Sequence, residues 1–588
     1  MMAWFVRRVL PLLMLWVLVG CGAPAQRAPA GGGDGQNAGQ SAAPRIGRTL
    51  VMAGRSETPS VASRPMRIFG LTSTTVSRLF NAGLMLRDGE GNFRPYLAES
   101  APELNTDSWR VTPDGRMETT YRLKPNLVWH DGTPLSAEDF VFSYQVYRHP
   151  DIGQAGSPPI ALMDDVLAPD ARTVVIQWRQ VFADAGSLEA GSAGLTNALG
   201  FPPLPRHLLE TPFRQGNVEA FIALPFWSTE YVGLGPYKMD RWEAGAYFEG
   251  AAFDQHVLGR PRIERIRMLF IPDFNTSVAN MLSGEAHITV DDSIRFQQAL
   301  VLRREWEPRR GGTVLVYPAL WRHTYFQQRP EFARPAALLD ARVRKALAYA
   351  VDKAALNDAL FEGEGILTET PIPPTSIYFS EVDRAATKYP FDVRRTEQLM
   401  AEAGYTRGGE GTWTHSSAGR FEAELAVLQS PQNENEMHIM AAVWRQYGFD
   451  VAEKVWAANL SSDGQLRDTH PSLANTSAGA GAPGEITLAE HTSDAVPSAQ
   501  NRWAGYNRGG WTNPEFDRVA QRFNTTLVRT ERTQLLVQMA RIFTEDAAVI
   551  PLYFNPTTTA FVSSLKGPKP AVPEGTMSWD IHEWEWVS

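Results

Sequence analysis

The chain is 588 residues long, with 43% hydrophobic residues, 17 tryptophans and a formal net charge of −9. That length and apolar content build a sizeable core, spread over roughly two to four domains or lobes. The acidic balance counts against a nucleic-acid partner, and Arg and Lys form no long run that would suggest one.

The N-terminus reads as an export signal. Arg7 and Arg8 form a positive region, and Val9–Val19 is an apolar run too short to span a membrane, which takes about 20 residues. Leu18-Val19-Gly20-Cys21 resembles the bacterial lipobox, so lipidation is expected at Cys21, after cleavage of residues 1–20. The paired arginines lack the flanks of a twin-arginine signal, which leaves the Sec route. Cys21 is the one cysteine of the chain. With it lipidated, disulfides and zinc–thiolate sites are excluded and stability rests on the hydrophobic core. Residues 21–46, rich in Gly, Ala, Gln and Ser, read as a flexible tether.

In chain order, Thr49–Ala53 is a first strand ending at Gly54. Ser73–Leu86 has helical spacing, with Val76, Leu79, Phe80 and Leu84 on one face. Met117–Lys124 alternates as a half-buried strand, and His130-Asp131-Gly132-Thr133 supplies a turn. A helix then opens at Ser136, with Asp139 completing a capping-box pair and Phe140, Tyr144 and Tyr147 forming its apolar face. Arg172–Trp178 is a β-branched strand. His130, Asp131 and His207 read as structural, and Gly233–Pro236 as a turn, since no Gly-Lys pair makes it a phosphate loop. Strand, helix and strand follow at 268–272, 278–282 and 286–290, with Gly284 as the helix stop. Asp340 caps a helix running to Lys353. Asp392–Ala403 and Met437–Gln446 are helices closed by Gly404 and Gly448, with a strand at Phe421–Leu428 between them. This recurrence indicates an α/β fold.

Several stretches resemble one family. LVWHDGTPLSAEDFVFSY at 127–144, PRHLLE at 205–210, GLGPYKM at 233–239, DARVRKALAYAVDK at 340–353 and IPLYF at 550–554 resemble signatures of the oligopeptide/dipeptide/nickel class of ABC-transporter solute-binding proteins. The resemblance runs from about Arg94 to Gly567. It implies an α/β, two-lobed periplasmic-binding-protein-like fold of type II, with mixed sheets and an extra subdomain inserted in the first lobe. The implied segments are 47–80, 205–315 and 549–588 for the first lobe, 81–204 for the insertion and 316–548 for the second lobe. It further implies a lipid-anchored, extracytoplasmic, monomeric receptor that captures a peptide-like or other small polar solute, without a cofactor, and delivers it to a membrane permease. An oligosaccharide receptor and a sensor subunit stay open as alternatives. A hydrolase is less favoured: the chain holds no G-x-S-x-G and no H-E-x-x-H, and His582-Glu583 has no second histidine.

Peptide-binding members carry a Trp-x-x-Asp-like motif whose carboxylate holds the ligand ammonium. The corresponding zone here, 468–501, has no tryptophan, which leaves Asp494 as a substitute. His470 and His491 in this zone read as solvent-facing, and no histidines cluster at metal-ligand spacing. For the ligand cleft the candidates are Arg55 and Glu57 after the first strand, Trp321, Arg322, His323 and Tyr325 before the second-lobe signature, and Trp503 and Tyr506 after the variable zone. Each has core packing or surface pairing as its alternative role.

Overall fold

Two long antiparallel strands, Gly312–Phe326 and Val549–Val562, carry the architecture. They run through the middle of an 11-stranded sheet and divide it into two halves. The computed structural model describes residues 49–63, 71–152, 158–191, 199–290, 293–478, 484–501, 503, 505–572 and 575–587. The expected signal, the tether and Cys21 lie outside the described residues.

In the first half, Leu50–Gly54 lies between Arg265–Phe270 and Ile288–Thr289 and is parallel to both. Tyr247–Ala252 and Tyr237–Glu243 extend this half as antiparallel strands. A separate four-stranded sheet, built from Trp109–Val111, Met117–Arg122, Thr173–Trp178 and Met163–Asp170, packs into the same core. The helix Ala137–Tyr147 covers it. The Asp139 carboxylate accepts from the Ser136 N–H at 2.8 Å and from the Arg206 N–H at 3.0 Å, so one cap ties two chain segments together. His130 accepts from the Gly233 N–H through Nδ1 at 3.1 Å, which leaves Nε2 to donate to the Gly235 carbonyl at 3.0 Å. Burial pushes its pKa down to about 4 and keeps it neutral. His207 meets Asp131 at 2.7 Å on the surface.

In the second half, Leu473–Ala478 pairs with the C-terminal part of the Gly312–Phe326 strand. Glu422–Leu428 and Asp450–Trp456 follow in parallel. Its cores draw on residues 296–554, whereas the first core draws on residues 50–290 and 561–584. Two helices are bounded differently from the sequence expectation. The segment after Asp340 is two helices, Ala341–Tyr349 and Lys353–Phe361, because Asp352 accepts from the Ala355 N–H at 2.9 Å and starts a second one. The helix expected from Met437 begins at Pro431: Ser430 caps it, and proline is favoured in a first turn.

Where the long strands cross between halves, Pro318 stands opposite Pro556 and the register then shifts before Trp321. Neither proline can donate to the ladder, so the pairing is interrupted at the midpoint by the missing donors and the register shift. Among the described residues, no helix is long and apolar enough to cross a membrane.

Candidate ligand cleft

Parallel strands present their C-terminal ends to one edge of each half-sheet, the edge where α/β folds bind ligands. Here those edges face each other across a cavity of about 600 Å³. Arg55 follows the first strand, Phe274 opens the helix after Arg265–Phe270, Ser430 follows Glu422–Leu428, and Ser477 ends its own strand. Ala319, Leu320 and Asn555, from the strand midpoint, form the floor.

Amides dominate the polar lining: Gln297, Gln298, Gln432, Asn433, Asn435 and Asn555. Each can donate and accept. The helix Pro431–Gln446 starts at the cavity and contributes the positive end of its dipole. Two guanidiniums approach the Phe274 ring, Arg55 at 4.9 Å and Arg295 at 5.3 Å from its centroid. Gln432 donates to Asn555 at 2.8 Å, and Gln297 to the Leu360 carbonyl at 3.2 Å. Among the described lining residues none is acidic.

Beneath the floor, Arg322 is held by Glu436. Its Nε and Nη2 donate to the two carboxylate oxygens at 3.2 and 2.5 Å, Asn475 donates at 2.8 Å, and the Tyr553 hydroxyl also donates to Glu436. Burial opposes the Arg322 charge, but Glu436 and Tyr553 outweigh it and raise the guanidinium pKa. Arg322 therefore reaches the cavity as an already paired cation.

Of the sequence candidates, Arg55 and Arg322 line this cavity. Glu57 instead accepts from the Trp242 indole at 2.6 Å and the Gly245 N–H at 3.0 Å. Trp321, His323 and Tyr325 share the opposite face of their strand: Trp321 stacks on His323 at 4.0 Å, and His323 meets Tyr325 at 4.5 Å. The Tyr325 hydroxyl donates to the Tyr506 carbonyl at 2.6 Å. Asp494 is exposed on a short 3-10 turn. Trp503 is half-buried, at φ 60. His470 and His491 are not solvent-facing but 2% and 1% exposed, with pKa values pushed by burial down to about 3 and about 4. Their sequence neighbours are small and polar, but their spatial neighbours, such as Trp321 and Phe543 around His491, come from far along the chain. The amide lining was missed. The one local signal for it was Ser430-Pro431 after a strand, which marks a helix start at a strand's C-terminal edge.

The model of the bacterial extracellular solute-binding proteins, family 5 Middle, matches residues 94–493. A Brucella ovis protein named as an ABC transporter peptide-binding protein is 24% identical over 351 residues, and the match spans 59% of either chain. Two solved structures share the fold at 21% identity. NikZ from Campylobacter jejuni, in complex with Ni(L-His), has a TM-score of 0.70 over 91% of this chain and 99% of its own. The oligopeptide-binding protein from Thermus thermophilus, complexed with a pentapeptide, has a TM-score of 0.68 over 92% and 96%. The fold is that of type II periplasmic binding proteins, and the chain belongs to the bacterial extracellular solute-binding proteins, family 5.

Proposed function

We propose that this protein is the solute receptor of an ABC import system. In this reading it captures a peptide-like or other small polar solute between two lobes and delivers it to a membrane permease. The observation that carries the reading is the cavity of about 600 Å³ at the facing strand ends, floored by the midpoint of the two crossing strands where Pro318 and Pro556 stand opposite and the register shifts. Its size suits a small solute, and its amides suit either peptide groups or hydroxyls. The Brucella ovis relative is named as a peptide-binding protein, a Haemophilus influenzae relative, 24% identical over 358 residues, as heme-binding protein A, and one solved neighbour holds Ni(L-His). The amide-and-aromatic lining equally supports the oligosaccharide alternative. Lobe boundaries near 205, 316 and 549, an extracytoplasmic location, lipid attachment at Cys21 and a monomeric state complete the proposal.

A ligand that binds the folded form at 100 times its Kd adds about 2.7 kcal/mol of stability. A thermal-shift screen of peptides, sugars and metal chelates should therefore give a clear hit, and Gln432→Ala should weaken that hit while leaving the ligand-free Tm near wild type. Turnover of a substrate library with no stabilising solute would replace this reading with an enzyme. Cys21→Ser should leave the protein unprocessed or release it from membranes, as fractionation would show.

A further inference from the structure

The helix Phe296–Trp306 is shared between the two halves of the molecule. Ala299, Leu302 and Trp306, at helical spacing, are buried with Ala53, Ile271 and Met281 of the first half. Phe296, Leu300 and Arg303 recur at i, i+4 and i+7 on a neighbouring face. Phe296 is buried in the second-half core with Leu360 and Phe361, and Leu300 packs against the same core. Four contacts tie this face to the end of the helix Lys353–Phe361. The Phe296 ring meets the Phe361 ring edge-on at 5.8 Å, and Gln297 donates to the Leu360 carbonyl at 3.2 Å. Arg303 grips Glu364 through both terminal nitrogens, Nη2 donating at 3.0 Å, and Arg304 Nη2 donates to Glu362 at 3.3 Å. The seam starts in the cleft, which Gln297 and Phe361 line, and runs out to Glu364, which lines a cavity of about 230 Å³ with Pro318 and Pro556 at the strand crossing.

The charges are placed for contact across the seam. Arg303 and Arg304 stand in the last turn of their helix, where its dipole favours cations. Glu362 and Glu364 stand just past the C-terminus of theirs, where the dipole disfavours carboxylates, so the stabilising partners of these acids are the arginines opposite. Among the described residues neither carboxylate forms an ion pair within its own half, and no other ion pair joins the halves. The charged neighbours of Arg303 are Glu364, Glu307 and Glu362, all acidic. Side chains of Arg303 and Glu364 are 28% and 34% exposed, and those of Arg304 and Glu362 more so, which leaves both pairs open to screening by salt.

We propose that Arg303–Glu364 and Arg304–Glu362 form a clasp that holds the two halves in their present arrangement before any solute binds. The two crossing strands are the other link between the halves beside this seam, and their pairing is interrupted where Pro318 faces Pro556. The clasp therefore biases the balance between this arrangement and a more open one, and makes that balance depend on ionic strength.

The test is small-angle X-ray scattering from the full chain without solute, in about 0.01 M and about 1 M NaCl, between which the screening length falls from roughly 30 Å to 3 Å. The radius of gyration of the wild-type protein should rise with salt. Glu362→Gln with Glu364→Gln should shift the ratio of open to closed forms by roughly threefold to tenfold at low salt and abolish the salt response. Glu362→Arg with Glu364→Arg should open the molecule further, and adding Arg303→Glu and Arg304→Glu, which exchanges the charges, should close it again. If the fourfold variant loses its far-UV circular dichroism, the single exchange Arg303→Glu with Glu364→Arg makes the same comparison. A wild-type radius indifferent to salt, or a glutamine variant that keeps the wild-type salt response, overturns the clasp. Neither result touches the receptor reading, and a failure to find any stabilising solute would leave the scattering result standing.

Discussion

Replacing Glu436 by alanine tests the polar centre under the cleft. The side chain is fully buried and accepts four hydrogen bonds: two from Arg322, one from Asn475 and one from Tyr553. Glu436→Ala would leave a guanidinium that is 4% exposed without its counter-ion. Breaking one side of a buried ion pair costs about 3–5 kcal/mol. Unfolding entropy is about 2.1 cal/mol/K per residue, so for a cooperative unit of this size about 4 kcal/mol lowers Tm by roughly 3–4 °C. The cost lies in the orphaned charge, so replacing both partners should be milder than the sum of the single changes. Glu436→Met with Arg322→Met should recover much of the loss. Urea and thermal unfolding of the two single variants and the double variant form the cycle. A cost below about 1 kcal/mol for Glu436→Ala, or strict additivity in the cycle, would refute the account of Arg322 as a paired cation.

Gly235→Ala should destabilise by at least about 1–3 kcal/mol, because its Cβ would stand 2.4 Å from the Phe80 carbonyl carbon and 2.5 Å from the Leu79 oxygen, both backbone; chemical denaturation measures it. Asp139→Ala should cost about 1–2 kcal/mol, since the N–H groups of Ser136 and Arg206 both lose their acceptor; the same assay applies, and Asp139→Asn should recover part of the loss. His130, His470 and His491 have folded pKa values depressed to about 4, about 3 and about 4. They bind protons more readily when unfolded, so stability should fall as pH drops from about 6.5 towards 4. Asp468, raised to about 6, has the opposite sign: its stabilisation is full below its unfolded pKa and is lost as pH rises through 6. Asp468→Asn should therefore steepen the acid loss by about one proton between about pH 4 and 6, read from Tm against pH. An unchanged slope would contradict the burial of a titrating carboxylate there.

The parts of the fold legible in the sequence are those set by local rules. Asp340 and Asp392 cap helices, and Gly284 and Gly448 take the positive φ of 80 and 89 that ends one. Each depends on a few adjacent residues, and the hydrogen bond or steric limit involved is local as well. The cleft is different in kind, because Arg55, Phe274, Gln432 and Asn555 meet only through strand order, and strand order is decided by long-range pairing. One inference was nonetheless available. Trp321, Arg322, His323 and Tyr325 cannot all face one cavity if they lie on a strand, because the period of two divides Arg322 from the other three. The structure makes that division: Arg322 reaches the cleft, and the aromatic three pack behind the sheet with His491. Alternation could not say which face was which. That depends on Glu436, 114 residues away, whose burial beside Arg322 draws the guanidinium to the cleft side. The crossing point carries the same lesson about function. Pro318 and Pro556 each remove an N–H donor from the ladder, which is a minor loss in either strand alone. Set opposite one another beside the cleft floor, they leave the two long strands without those donors where the register shifts, next to Ala319, Leu320 and Asn555, so in the receptor reading proposed above contacts made there would bear directly on the strands that join the two halves.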